Sequence, residues 1–164
     1  LDLGALERHV DETGSVTGFA GARSIDNADL LELVVDVLVP AAVESVIHGD
    51  NASQVRARLV VEGANGPVTV EADRILERRG ITVVPDILAN AGGVVVSYFE
   101  WVQANQAYWW TEEEVEARLA ARMISAWEDV LRHSRRLGVT LRAAATCLAV
   151  ERVAEAHQQR GLYP

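Results

Sequence analysis

Lysine is absent from this sequence: all 15 of its Lys/Arg residues are arginine. No step that needs an amine of lowered pKa can therefore use a side chain of this polypeptide. Cysteine occurs once, at Cys147, which excludes an internal disulfide and leads to the expectation of a reducing, cytoplasmic setting. Cations are outnumbered by the 24 Asp and Glu residues, leaving a net charge of -9. That argues against a nucleic-acid partner, because phosphate binding needs a clustered positive surface. No apolar run approaches the length needed to span a bilayer and no signal peptide is visible, so no membrane partner is expected. The four histidines, His9, His48, His133 and His157, have no metal-ligand spacing and read as surface residues, with no metal site expected. A strand followed by G-x-G-x-x-G is also missing, as are internal repeats and low-complexity segments.

What is present is a chain of 164 residues, 49% of them apolar, enough for one domain with a real core. It begins with Leu1 rather than Met, which leads to the expectation of a processed or excised piece. Residues 2–12 read as a short helix ended by Thr13-Gly14. A Gly-rich loop over 15–25 follows, then a short helix capped by Asp26 or Asn27. Three apolar runs rich in Val and Ile, at 34–39, 59–61 and 81–84, each end in a breaker or polar loop, and helical patterns separate them. The clearer helix is 70–79, capped by Thr69, closed by Gly80, with Ala72, Ile75 and Leu76 inward. Apolar strands alternating with helices predict an α/β fold: a doubly wound parallel sheet over 1–89. A helical part over 90–164 completes a single domain.

In that part, Thr111 and Glu114 form a capping box, and apolar residues recur at helical spacing until Gly138. Thr140 caps a last helix running to about Gln159. Trp109-Trp110 reads as an anchor for the long helix, Arg132, Arg135 and Arg136 as a basic turn near its C-terminus, and Cys147 as packed core. Residues 91–105 are ambiguous. Val94-Val95-Val96 with Tyr98, Phe99 and Trp101 favours a strand by propensity, yet Val94, Tyr98, Trp101, Val102 and Asn105 fit one helical face.

In an open parallel sheet, ligands bind at the C-terminal ends of the strands. Small-residue loops lie there at 40–42, 62–67 and 85–93, and small residues let a flat cofactor approach the backbone. Asn65 and Asn90 add amides that donate and accept together, which suits a carboxamide such as that of nicotinamide. Gly-Pro and Asn-Gly loops also end strands where no ligand binds.

Longer strings carry more information. EGANGPVTVEAD at 62–73 and VVPDILANAGGVVVSYFEWVQ at 83–103 resemble the glutamate dehydrogenase family. So do DVLVPAAVESVI at 36–47, WTEEEVEARL at 110–119 and RAAATCLAVERVAEA at 142–156. The resemblance covers essentially the whole chain, and implies that it is the C-terminal part of such an enzyme. It implies that Asn65 and Asn90 contact the nicotinamide end of NAD or NADP, and that Ala41, Gly63 and Ala64 line the cofactor crevice. Val94 would pack against the substrate side chain, and the Ser97 hydroxyl would bind the distal carboxylate of glutamate. It also implies a helix over 91–105. Val70 stands where the family often has Pro.

The implied reaction is oxidative deamination of L-glutamate to 2-oxoglutarate and ammonia. Its acid/base lysine and aspartate belong, by the same resemblance, to an N-terminal substrate domain, so no catalytic residue is expected here and the chain alone is expected to be inactive. The pyrophosphate cradle and the residue that separates NAD from NADP would also lie outside it. Ser97 argues against a leucine, phenylalanine or valine enzyme, since a hydroxyl gives little to an apolar side chain. A different reading is a non-catalytic binding or assembly module that kept the fold. A homo-oligomer is expected, and the chain alone is expected to dimerise or swap elements through the apolar edge at 34–39 or through the helices of 111–159.

Overall fold

Side-chain caps set most of the helix starts in the computed structural model, which describes residues 1–161. The chain divides into two compact units, Leu1–Leu33 and Val34 onward. In the first, the Asp2 carboxylate accepts from the Ala5 amide at 3.0 Å and opens helix α1, Leu3–Thr13. Gly14, at φ 73°, closes it by donating to the Val10 carbonyl. Asp26 caps α2, Asn27–Leu31, by accepting from Asp29.

The second unit is built on three parallel strands in the order β1-β2-β3: Val37–Leu38, Leu59–Val61 and Thr82–Val84. Val37 pairs with Leu59, and Val60 with Val83. The run at 34–39 is thus cut to two strand residues, because only they find a partner in β2. A second expectation fails between β1 and β2, where no α-helix forms. Asn51 there accepts from the His48 amide and donates to the Val46 carbonyl, both at 2.8 Å. Such local side-chain bonds offer the backbone an alternative to a helix. The segment instead runs alongside the 66–69 loop, with Ile47 bridged to Val68.

Thr69 caps α3, Val70–Arg78, which buries Ala72 and Leu76 and leaves Ile75 half-buried. After β3 comes a four-residue helix that the sequence pattern did not indicate, α4, Asp86–Ala89. Three long helices follow: α5 Gly92–Gln106, α6 Glu112–Leu137 and α7 Leu141–Arg160. The expected capping box opens α6, and Gly138, at φ 65°, ends it. Leu88, Val130, Ala144, Ala145 and Leu148 form a core cluster, with Val84 of β3 packed against it. α3 and α7 both pack on β3, and α6 on α7. The result is the expected α/β fold: a small parallel sheet followed by long C-terminal helices.

Cys147 corrects an expectation, for it is exposed. Ala144, Ala145 and Leu148 define the inward face of α7, and Cys147 falls to one side of it. His133 is also not a surface residue: its side chain is 16% exposed, and its ring bonds the Asp129 carbonyl and, at 3.0 Å, Glu151. Of the tryptophan pair, Trp110 anchors, meeting Phe99 edge-on and lying under Arg118, while Trp109 is exposed.

Candidate functional site

All three strands run in one direction, so their C-terminal ends deliver three loops to one edge of the sheet. The loop after β1 starts at Pro40, whose carbonyl accepts from the Gly63 and Ala64 amides at 3.1 and 2.9 Å. Glycine at 63 permits a close approach: a Cβ there would lie 3.0 Å from the Ala41 Cβ and 3.3 Å from its Cα, a tight fit. The loops after β1 and β2 can therefore touch. Above them opens a cleft of about 720 Å³, lined by Ala42, Val43, Glu44, Gly63, Ala64, Asn65, Asn90, Gly93 and Val94.

Two amides meet on its wall. Asn90 Nδ2 donates to Asn65 Oδ1 at 2.7 Å and, more weakly, to the Ala64 carbonyl at 3.4 Å. Among the described residues, Asn65 Nδ2 and Asn90 Oδ1 have no other partner. The pair thus offers one donor and one acceptor from adjacent side chains, the complement of a primary carboxamide. Gly93 and Val94, at the start of α5, form the next stretch of wall. Val94 is 75% exposed. One turn further along α5, the exposed Ser97 donates its hydroxyl to the Gly93 carbonyl at 3.1 Å. A hydroxyl can rotate from such a bond toward an anion.

Five of the seven sequence-derived residues therefore share the cleft: Gly63, Ala64, Asn65, Asn90 and Val94. Ala41 lies behind it, against Gly63. Ser97 lies outside the lining, on the turn of α5 that follows Val94. Ala42 and Gly93, which fall in the small-residue loops read from the sequence, and Val43 and Glu44, which do not, complete the lining.

Behind the cleft lies a charged cluster that the sequence did not reveal. Glu62, directly after β2, is fully buried. Arg142 of α7 meets it with both terminal nitrogens, at 2.7 and 3.0 Å. The same guanidinium bonds Asp73 of α3 at 3.0 and 3.2 Å, and lies 3.7 Å from Asp86. Burial alone would lower the Arg142 pKa, but hydrogen bonds to Glu62 and Asp73, and then their charges, outweigh it and hold the group above its ordinary range. Glu62 also accepts from the Asp86 amide at 2.7 Å. Its only sequence signal was a carboxylate directly after an apolar run, and its partner stands 80 residues away.

Comparison with known proteins adds family information. The model of the Glutamate/Leucine/Phenylalanine/Valine dehydrogenase family matches residues 1–161. A glutamate dehydrogenase of Thermotoga maritima is 52% identical over 164 residues, covering 100% of this chain and 39% of the relative. An NAD-specific glutamate dehydrogenase of Staphylococcus aureus is 47% identical over 161 residues, covering 98% of this chain and 39% of the relative. Among solved structures, the hetero-hexameric glutamate dehydrogenase of Thermus thermophilus in its Leu-bound form superposes with a TM-score of 0.91 at 38% identity, over 100% of this chain and 38% of that one. The chain thus spans about two fifths of the length of the relatives it matches.

Proposed function

This chain belongs to the Glutamate/Leucine/Phenylalanine/Valine dehydrogenase family, and from that membership we propose that it is the C-terminal, cofactor-facing part of an NAD- or NADP-dependent glutamate dehydrogenase. The observation that carries the cofactor assignment is that Asn65 and Asn90, whose amides bond each other, both line one cleft, with Asn65 Nδ2 and Asn90 Oδ1 unpaired among the described residues. A nicotinamide carboxamide would be held there, its oxygen accepting from Asn65 and its amino group donating to Asn90. Gly63 and Ala64 present no side chain large enough to hold a flat ring away from the backbone, and Ala41 backs them. The chemistry supplied by the bound cofactor is acceptance of a hydride from the substrate α-carbon.

The chain's own contribution on the substrate side is recognition. Val94 offers an apolar contact to the substrate side chain, and the Ser97 hydroxyl donates to its distal carboxylate. Having no lysine, the chain leaves any amine-based proton transfer to residues outside it. We further propose that the full-length protein is cytoplasmic, in keeping with the single cysteine of this chain, and that it assembles as a homo-oligomer.

The test is an assay of the full-length protein carrying this chain, with L-glutamate and either nicotinamide cofactor. Turnover is expected. Replacing Asn90 by Ala should raise the cofactor KM roughly tenfold, the value of about one to two neutral hydrogen bonds. No nicotinamide-linked turnover of glutamate contradicts the proposal.

A further inference from the structure

Asp86 is bonded to both loops that carry the two amides. Its carboxylate accepts from the Gly66 amide at 2.8 Å, one residue after Asn65. Its carbonyl accepts from the Asn90 amide at 3.1 Å, across the short helix α4. Its own amide donates to Glu62, which begins the Asn65 loop. Glu62, fully buried, is held by both terminal nitrogens of Arg142. A chain of bonds therefore runs from α7 through Glu62 and Asp86 to the backbone on either side of the 2.7 Å contact between Asn90 and Asn65.

From this geometry we propose that Glu62, Asp86 and Arg142 are positioning residues that set the spacing and orientation of the Asn65–Asn90 amide pair. The inference rests on the reading that this pair holds the cofactor carboxamide. None of the three residues lines the cleft, so they act through the asparagines. A buried carboxylate and a fork-shaped guanidinium suit that task, because a bidentate pair fixes direction as well as distance. Arg142 is further steadied from α3 by Asp73, so three separate elements converge on one cation.

The experiment uses the full-length protein and the variants Asp86→Asn, Arg142→Met and Arg142→Lys. Glu151→Gln, which loosens the α6–α7 pairing with His133 away from these loops, serves as the folding control. In Asp86→Asn and Arg142→Met the cofactor KM should rise roughly five- to twentyfold, with glutamate KM within twofold, consistent with misplacing hydrogen bonds of ordinary strength. Arg142→Lys, which keeps the charge and loses the fork, should fall between them and the parent. Crystal structures of the variants without cofactor should show the Asn90–Asn65 contact lengthened past hydrogen-bond range. Asp86→Asn is the milder change and carries the test if Arg142→Met does not fold. An intact amide contact, with cofactor KM within twofold of the parent in folded variants, overturns the positioning role. A parent protein that turns over no glutamate overturns the functional reading instead, and the crystallographic arm then still decides the geometry.

Discussion

Ser97 sits one helical turn beyond Gly93 and donates to its carbonyl, so its hydroxyl is held against a residue that lines the cleft. The bond is local and replaceable, which lets the group reorient to an anion without disturbing packing. In the full-length protein, Ser97→Ala should lower kcat/KM for glutamate roughly 10- to 150-fold, since hydrogen bonds to charged groups are worth about 1.5–3 kcal/mol. Leucine, which has no distal carboxylate, should be affected less than twofold, and parallel assays of the two substrates check this. Equal losses contradict the assignment of Ser97. Val94, at 75% exposure, has no packing role in this chain that would explain its place on the wall.

Helix α5 shows tertiary context overriding local preference. Its Val94-Val95-Val96 run favours a strand, but those residues have no strand partner, since the sheet is fully specified by β1, β2 and β3. The helix is secured at its far end, where Phe99 meets Trp110 edge-on at 5.5 Å and the buried Gln103 accepts from the Trp110 amide at 2.7 Å. It ends at Ala107, which is forced to φ 51°. A residue with a Cβ pays about 1–2 kcal/mol in this left-handed region. Ala107→Gly should therefore stabilise the protein, raising Tm by roughly 2–4 °C for each kcal/mol gained. Thr111→Ala, only four residues on, should do the opposite, because it removes a capping bond to the Glu114 amide worth about 1 kcal/mol. Thermal melts of the two variants check the opposed signs, and a Tm that falls in both would remove the strain argument.

At the scale of the molecule, the sheet is small and ends at β1, with Val34, Val37 and Val39 exposed at 77, 48 and 52%. An apolar strand edge with unpaired backbone groups recruits another chain. This chain expressed alone should self-associate with rising concentration, and Val37→Arg should reduce the effect, as measured by light scattering. A parent chain that stays monomeric at high concentration contradicts this. The charged cluster works at the same scale in the opposite sense, drawing the residue after β2, together with α3 and α4, onto the one guanidinium that α7 carries.

Local chemistry was legible from the sequence alone. Thr69, Thr111 with Glu114, and Thr140 cap helices where their spacing said they would, and Gly14 and Gly138 stop them, because a cap involves only residues three or four apart. Leu59–Val61 was read to the residue, since a central strand is apolar throughout its length. The literal strings around Asn65 and Asn90 named the family, which the match over residues 1–161 bears out. Tertiary structure alone decided the rest. It cut the strand at 34–39 to its two paired residues, left the β1–β2 connection without a helix, turned Cys147 outward, and joined Glu62 to Arg142 across 80 positions. Each of these depends on which distant neighbour is present to pair with or pack against, and nearby residues carry no signal of that.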